Sequence, residues 1–133
     1  MEKKYRATYQ PIYAYQDYAM NFFLRIPKEL LESEDWQHLS ITAIVVYSLL
    51  LERALASKDN EFFHDEEGYP FVYYAQADLA KILRVSLPKV RRVLYELEGA
   101  ELIHRKHQFL TKPDMIYVND YGSPIVVPYG QRG

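Results

Sequence analysis

Three cationic residues lie close together in the stretch SLPKVRRVLYELE, at Lys89, Arg91 and Arg92. Lysine and arginine donate hydrogen bonds that suit phosphate oxygens, and the planar fork of arginine also matches the two acceptors of guanine. Helix stability does not explain their position, because cations near the N-terminal end of a helix oppose its dipole. The cluster therefore predicts contact with a nucleic acid; the alternative is an ordinary solvated basic face.

A helix predicted from Leu87 to Glu98 would position these cations. Ser86 is a suitable N-cap, and Pro88 fits the first turn, where its missing N–H costs little. The apolar residues of the stretch share one face at helical spacing: Leu87, Val90, Val93, Leu94 and Leu97. Just before it, ADLAKILRV places Leu79, Ile82 and Leu83 on one helical stripe. Two helices three residues apart are typical of a helix-turn-helix.

A basic β-hairpin is predicted directly after the second helix, from Leu102 to His107 and from Asp114 to Val118. A hairpin in this position is the wing of a winged helix-turn-helix, so the predicted fold class is α+β, with a DNA-binding winged helix. The candidate DNA-contacting residues are Ser86, Lys89, Arg91, Arg92, Tyr95, Arg105, Lys106 and Lys112. We expect Arg91 or Arg92 to read bases. From the wing, Arg105, Lys106 and Lys112 are expected to bind phosphates.

Composition supports one globular domain. The chain has 133 residues, 49% of them hydrophobic, and no cysteine, which excludes disulfides and fits a reducing cytoplasm. No membrane span or signal peptide is predicted. The net charge is −2, but it is unevenly distributed. The segment from Lys81 to Lys112 contains eight Lys/Arg and three Glu, a net charge of +5. The segment from Lys28 to Glu67 contains three Lys/Arg and ten Asp/Glu, a net charge of −7. This polarity allows a basic face on a weakly acidic chain.

The remaining segments complete the predicted organisation. Residues 1–19 carry five tyrosines and are interpreted as an N-terminal arm that packs on this domain or on a second copy; a partly ordered tail is the alternative. The strongest predicted helix runs from Ser40 to Lys58, and a β-hairpin is expected from Phe62 to Tyr74 around an acidic turn. The winged-helix domain would span residues 20–118. Residues 119–133 have linker composition and are expected to lead to a C-terminal domain outside this chain.

No enzyme motif is found, since a glycine-rich phosphate loop, HExxH, GxSxG and a cysteine nucleophile are all missing from the sequence. We therefore predict neither an enzyme nor a bound cofactor. His104 and His107 could form a metal pair, but no cysteine and no carboxylate stands at a matching spacing, so no metal site is predicted.

Five stretches, in collinear order over about residues 20–118, resemble the N-terminal domain of plasmid replication initiator protein A from Gram-positive bacteria. They are FFLRIPKELLES, LSITAIVVYSLLLERALASK, EEGYPFVYY, ADLAKILRVSLPKVRRVLYELE and KPDMIYV. The resemblance implies a dimeric winged helix that binds repeated sequences (iterons) of a replication origin, with a further domain recruiting replication machinery. By position, the recognition helix is Leu87 to Glu98 and the wing is His104 to Lys112. The family often has Thr where this chain has Ala75, and usually Gly where it has Glu101.

Two other functions stay open from the residues alone. One is a winged-helix transcriptional regulator, which would use the same DNA chemistry at another target. The other is a winged helix used for protein assembly, as in primosome proteins, although the polarised charge argues against it.

Overall fold

The computed structural model describes residues 23–57, 63–109 and 111–122. Its elements, in chain order, are helices α1 (Lys28–Glu32), α2 (Ile41–Ala56), α3 (Gln76–Leu83) and α4 (Leu87–Gly99), followed by strands β1 (Ile103–Lys106) and β2 (Met115–Val118). A short 3-10 helix, Glu34–Trp36, lies between α1 and α2. The predicted arm of residues 1–19 and most of the predicted linker, residues 123–133, lie outside the described residues.

Helix α2 forms the centre of the core, as its apolar pattern predicts. It begins where the Ser40 hydroxyl accepts a hydrogen bond from the Ala43 N–H at 3.1 Å. Tyr47 and Leu50 are fully buried and belong to the same apolar cluster as Leu94 of α4. The apolar stripe is wider than the core, however, because Ile41 in the first turn is 66% exposed.

The helix-turn-helix is confirmed. Its first helix, α3, begins at Ala75, whose side chain makes no capping hydrogen bond, and ends at Arg84 with a left-handed φ of 60°. The Val85 N–H then donates to the carbonyl of Ala80 at 3.1 Å, which closes the end of α3. Helix α4 begins at Ser86, whose hydroxyl accepts from the Lys89 N–H at 3.2 Å. Both turn ends are therefore fixed by local hydrogen bonds.

Helix α4 ends one residue later than predicted, in a Schellman motif. The Leu102 N–H donates to the Leu97 carbonyl, and the Glu101 N–H donates to the Glu98 carbonyl, each at 3.0 Å. This geometry places Glu101 in the left-handed region at φ 63°. Leu97 and Leu102, which flank the turn, are fully buried. The motif turns the chain from α4 directly into β1.

The wing sheet has two named strands and one further pairing. Strands β1 and β2 are antiparallel, with Ile103 opposite Val118 and Lys106 opposite Met115. Val72 adds to the other edge of β2 by exchanging two backbone hydrogen bonds with Ile116, at 2.8 and 2.9 Å.

The predicted hairpin from Phe62 to Tyr74 is present around its turn. The Phe71 N–H donates to the Phe63 carbonyl, and the Asp65 N–H donates to the Tyr69 carbonyl, each at 2.9 Å. Among the described residues, its two arms meet at a single bridge, between His64 and Pro70. On the other edge of the same arm, the backbone of Val72 pairs with β2, and Val72 is buried in the main apolar cluster. Phe62 lies outside the described residues.

Candidate nucleic-acid interface

Helix α4 presents one exposed face with two arginines and a tyrosine. Arg91, Arg92 and Tyr95 lie at positions i, i+1 and i+4, and all three are exposed, Tyr95 by 74%. The opposite face of the helix is buried in the core. Because the core holds α4 along one side, these three side chains form a rigidly supported surface. Within the described residues, neither arginine is paired with a carboxylate.

Two other predicted residues lie at the N-terminal end of this face. Ser86 is exposed, and its hydroxyl is engaged in capping α4. Lys89 is half-buried rather than fully exposed, so it lies at the side of the face. The structure therefore brings together Ser86, Lys89, Arg91, Arg92 and Tyr95, as predicted from helical spacing.

The two carboxylates of α4 bond to neighbouring elements. Glu96 accepts hydrogen bonds from the Ser40 N–H at 2.6 Å and from the Ser40 hydroxyl at 2.9 Å, so it helps to cap α2. Glu98 accepts from Arg105 of β1 at 2.9 Å. Glu96 thus bonds to the start of α2 and Glu98 to the wing, and neither carboxylate pairs with Arg91 or Arg92 among the described residues. The exposed face of α4 keeps its positive charge as a result.

The structure separates Arg105 from the other two predicted wing cations. Its side chain is only 17% exposed and forms an ion pair with Glu98 at 2.9 Å and a longer contact with Asp114 at 4.0 Å. Its Nε atom is buried without a hydrogen-bond partner among the described residues. Lys106 and Lys112, by contrast, are exposed. Arg105 therefore links the recognition helix to the wing, and its predicted phosphate contact stays a prediction.

The two histidines of the wing have different surroundings. The His107 Nδ1 atom lies 2.8 Å from Asp114, across the base of the wing turn. The His104 ring lies 5.9 Å from the ring of Tyr117. In the part of the chain that the structure describes, no group of three or more His, Asp or Glu side chains is arranged to hold a metal ion.

An acidic turn lies beside the wing. Its first residue, Asp65, accepts hydrogen bonds from the Glu67 and Tyr69 N–H groups at 2.9 Å and from the Tyr117 hydroxyl at 2.8 Å. Burial would raise the pKa of Asp65, but these hydrogen bonds and the nearby charge of Lys106 outweigh it and hold the pKa below its ordinary value. The turn is therefore fixed to β2.

This turn and the wing line one groove. Glu66 and Glu67 are exposed there, together with the wing cations Lys106 and Lys112. The wing surface consequently has mixed charge. The sequence predicts a solvated acidic turn, but its proximity to the wing depends on the tertiary pairing of Val72 with β2.

Arg84 is an exposed cation that the sequence prediction did not include. It lies in the turn between α3 and α4, immediately before the cap of the recognition helix. The three-residue break in the helical pattern marks the turn, but nothing local shows which way the Arg84 side chain faces.

None of the helices within the described ranges is long and apolar enough to cross a membrane.

A helix-turn-helix followed by a β wing, with an exposed cationic face on the second helix, defines a winged-helix DNA-binding domain. The family model of the replication initiator protein A (RepA) N-terminus matches residues 22–127. The chain belongs to this family. It is the DNA-binding N-terminal domain of a plasmid replication initiator, and this assignment decides among the three functions that the residues left open.

Solved structures agree with the assignment. One described as the N-terminal domain of a DNA-binding protein is 26% identical, with a TM-score of 0.64, over 92% of this chain and 88% of that chain. A second, described as a Rep–DNA complex, is also 26% identical with a TM-score of 0.64, over 91% and 88% of the two chains. A third, described as an MDR initiator, is 25% identical with a TM-score of 0.61, over 85% of each chain. No curated protein matches the chain.

Proposed function

We propose that this domain binds the repeated sites of its own plasmid origin, with α4 in the major groove and the wing on the adjacent backbone. The observation that carries the proposal is the exposed face of Arg91, Arg92 and Tyr95, supported from behind by a buried apolar face. The role is one of binding rather than catalysis, in the cytoplasm, where a plasmid resides.

Each side chain has a distinct role in this proposal. Arg91 or Arg92 reads guanine, because its fork can bond to O6 and N7 together. Lys89 and Ser86 hold the phosphate backbone near the start of α4, where the helix N-terminus adds N–H donors. Tyr95, one turn further along, packs against sugar or base. Lys112 and Lys106 bind phosphates from the wing.

Binding titrations at several salt concentrations test this assignment. The DNA is a duplex from the protein's own gene and flanks, chosen by footprinting, and compared with a random duplex of equal length. Replacing the base-reading arginine by Ala should cost about 1–3 kcal/mol on the footprinted duplex and much less on the random one. Lys112→Ala should weaken both alike and lower the salt slope by about one unit.

Lys28→Ala provides the matched control, because Lys28 is an exposed cation on α1. It should change neither the affinity nor the ratio between the two duplexes. If Arg91→Ala and Arg92→Ala both preserve that ratio, α4 is not the reading element.

The domain acts as a homodimer in this proposal, because repeated DNA sites are usually bound by symmetric protein dimers. The tyrosines of residues 1–19 are suited to such an interface. Deleting these residues should weaken self-association in sedimentation experiments, and an unchanged dimer would place the interface elsewhere. In the same proposal, this domain supplies DNA binding and does not itself recruit the replication machinery.

A further inference from the structure

The tip of the wing carries a large apolar side chain that projects into solvent. Phe109 is 79% exposed, more than any other large hydrophobic residue in the described part of the chain. It lies in the turn between β1 and β2, which the Lys112 N–H closes by donating to the Phe109 carbonyl at 2.9 Å. Folding gains little from an aromatic ring in this position, because the ring stays in water. Its exposure at the tip of the wing makes the ring available to a binding partner.

The turn presents Phe109 from a braced base. The Gln108 amide donates to the Pro113 carbonyl at 2.9 Å, and the Tyr73 hydroxyl lies 3.4 Å away. The His107–Asp114 contact of 2.8 Å spans the same base. An aromatic and apolar cluster packs beneath it, formed by Phe63, Phe71, Tyr73, Met115 and Tyr117. These contacts fix the base of the turn that carries Phe109, so binding has to order little more than the Phe109 side chain itself.

The charges around the turn indicate what kind of contact it can make. Lys106 and Lys112 would attract a phosphate backbone, but Glu66 and Glu67 line the same groove and offset them. Electrostatic attraction at the wing is therefore modest. The distinctive group that the wing offers to DNA is the apolar ring of Phe109, which lines the same groove as the cations Lys106 and Lys112.

We propose that Phe109 is a wedge that enters the minor groove and separates two stacked base pairs, next to the major groove occupied by α4. The inference rests on the DNA binding proposed above. Apolar side chains inserted in this way kink the duplex, and pyrimidine–purine steps such as TA and CA unstack most easily. The wing would thereby add a preference for a flexible step beside the bases that the arginines read.

Fluorescence of 2-aminopurine, which rises when the base loses its stacking partner, tests the wedge directly. The probe is the footprinted duplex, with 2-aminopurine placed at successive positions in the segment protected next to the major-groove contacts. The variants are Phe109→Ala, Phe109→Leu, which keeps an apolar side chain, and Leu31→Ala, which removes an apolar residue of α1 that is 51% exposed. Because Phe109 is so exposed, its substitution should leave the thermal unfolding midpoint unchanged.

We expect the wild-type protein to raise the fluorescence at one base step. Phe109→Ala should abolish that rise and weaken binding about tenfold. Phe109→Leu should retain part of both effects, and Leu31→Ala should alter neither. The salt slope should be the same for all of these proteins, since no phosphate contact is removed.

The possible failures are distinguishable. If the wild-type protein protects no segment of DNA, the proposed function fails, and the wedge fails with it. If DNA binding holds but Phe109→Ala keeps full affinity and the fluorescence rise, the wedge alone is wrong. If Phe109→Ala weakens self-association and leaves DNA binding intact, Phe109 belongs to an interface between copies of the chain, which also overturns the inference.

Discussion

At the scale of single residues, the end of the recognition helix contains strain that a substitution can remove. Glu101 has a φ of 63°, which costs a residue with a side chain about 1–2 kcal/mol compared with glycine. Replacing Glu101 by glycine removes this strain, but part of the gain in stability is offset because glycine makes the unfolded chain more flexible. We expect Glu101→Gly to stabilise the domain by about 0.5–1 kcal/mol, measured by urea unfolding.

Gly99 provides the matched comparison. It lies within α4, and a Cβ atom built on it would have no heavy atom within 4 Å. Gly99→Ala should therefore also stabilise, by up to about 1 kcal/mol, because alanine is the better helix residue. A loss of stability in Glu101→Gly, alongside a gain in Gly99→Ala, would show that the Glu101 side chain makes a contact worth more than the strain.

Arg105 can be tested by comparing it with its own partner. If it connects α4 to the wing, Arg105→Ala and Glu98→Gln should both weaken DNA binding, and both should leave the salt slope unchanged. Each should also cost about 1–3 kcal/mol of stability, because the pair is mostly buried. If Arg105 binds phosphate instead, Arg105→Ala alone should lower the slope by about one unit.

At the scale of elements, the packing of α2 against α4 determines where the recognition helix stands. Leu94 is 1% exposed, whereas Val45 of α2 is only half-buried, although both positions fit the apolar stripes of the sequence. We expect Leu94→Ala to cost about 2–4 kcal/mol and Val45→Ala about 1 kcal/mol, measured by chemical unfolding. Equal costs at the two sites would contradict this packing.

The helices could be predicted from the sequence because their signals are local. The Ser86 cap, Pro88 and the apolar spacing of α4 all lie within one stretch. They agree with the structure except at Leu87, which the spacing places on the buried face and which is 38% exposed. The partners of Glu96 and Val72 could not be predicted in the same way. Glu96 bonds to Ser40 at the start of α2, 56 positions away in the chain, and Val72 pairs with Ile116. Both contacts therefore depend on the tertiary arrangement.

The acidic turn should make stability depend on pH. The folded-state pKa of Asp65 is lowered below its unfolded value of about 3.9, so its contribution is present above about pH 5. That contribution is lost as the pH falls through the unfolded value towards the folded one. Asp65→Asn should flatten this part of the pH dependence, and Tyr117→Phe should reduce it by removing one hydrogen bond. Urea midpoints over about pH 3–7 measure both changes; an unchanged profile in Asp65→Asn would rule out this source.

At the scale of the whole molecule, the uneven charge separates a DNA-binding side from an acidic remainder. The recognition helix and the wing belong to the segment with a net charge of +5, and the acidic turn to the segment with a net charge of −7. Both segments contribute to the apolar core, where α2 packs against α4, and exposed charges of both line one groove between the wing and the turn. We infer that the turn limits the attraction of the wing for phosphate, which favours sequence-dependent contacts over indiscriminate binding.

Removing the two exposed charges of the turn tests this balance. Glu66→Gln combined with Glu67→Gln should raise affinity at low salt about two- to fivefold, because repulsion between carboxylate and phosphate is relieved. The gain should be similar on footprinted and random duplexes, so that the absolute affinity rises without better discrimination, and it should vanish as salt screens the charges. Glu29→Gln combined with Glu32→Gln makes the same change in net charge on α1, away from the residues that line the wing groove. If that control variant gains as much affinity, the total charge of the domain governs binding, and the acidic turn has no special effect.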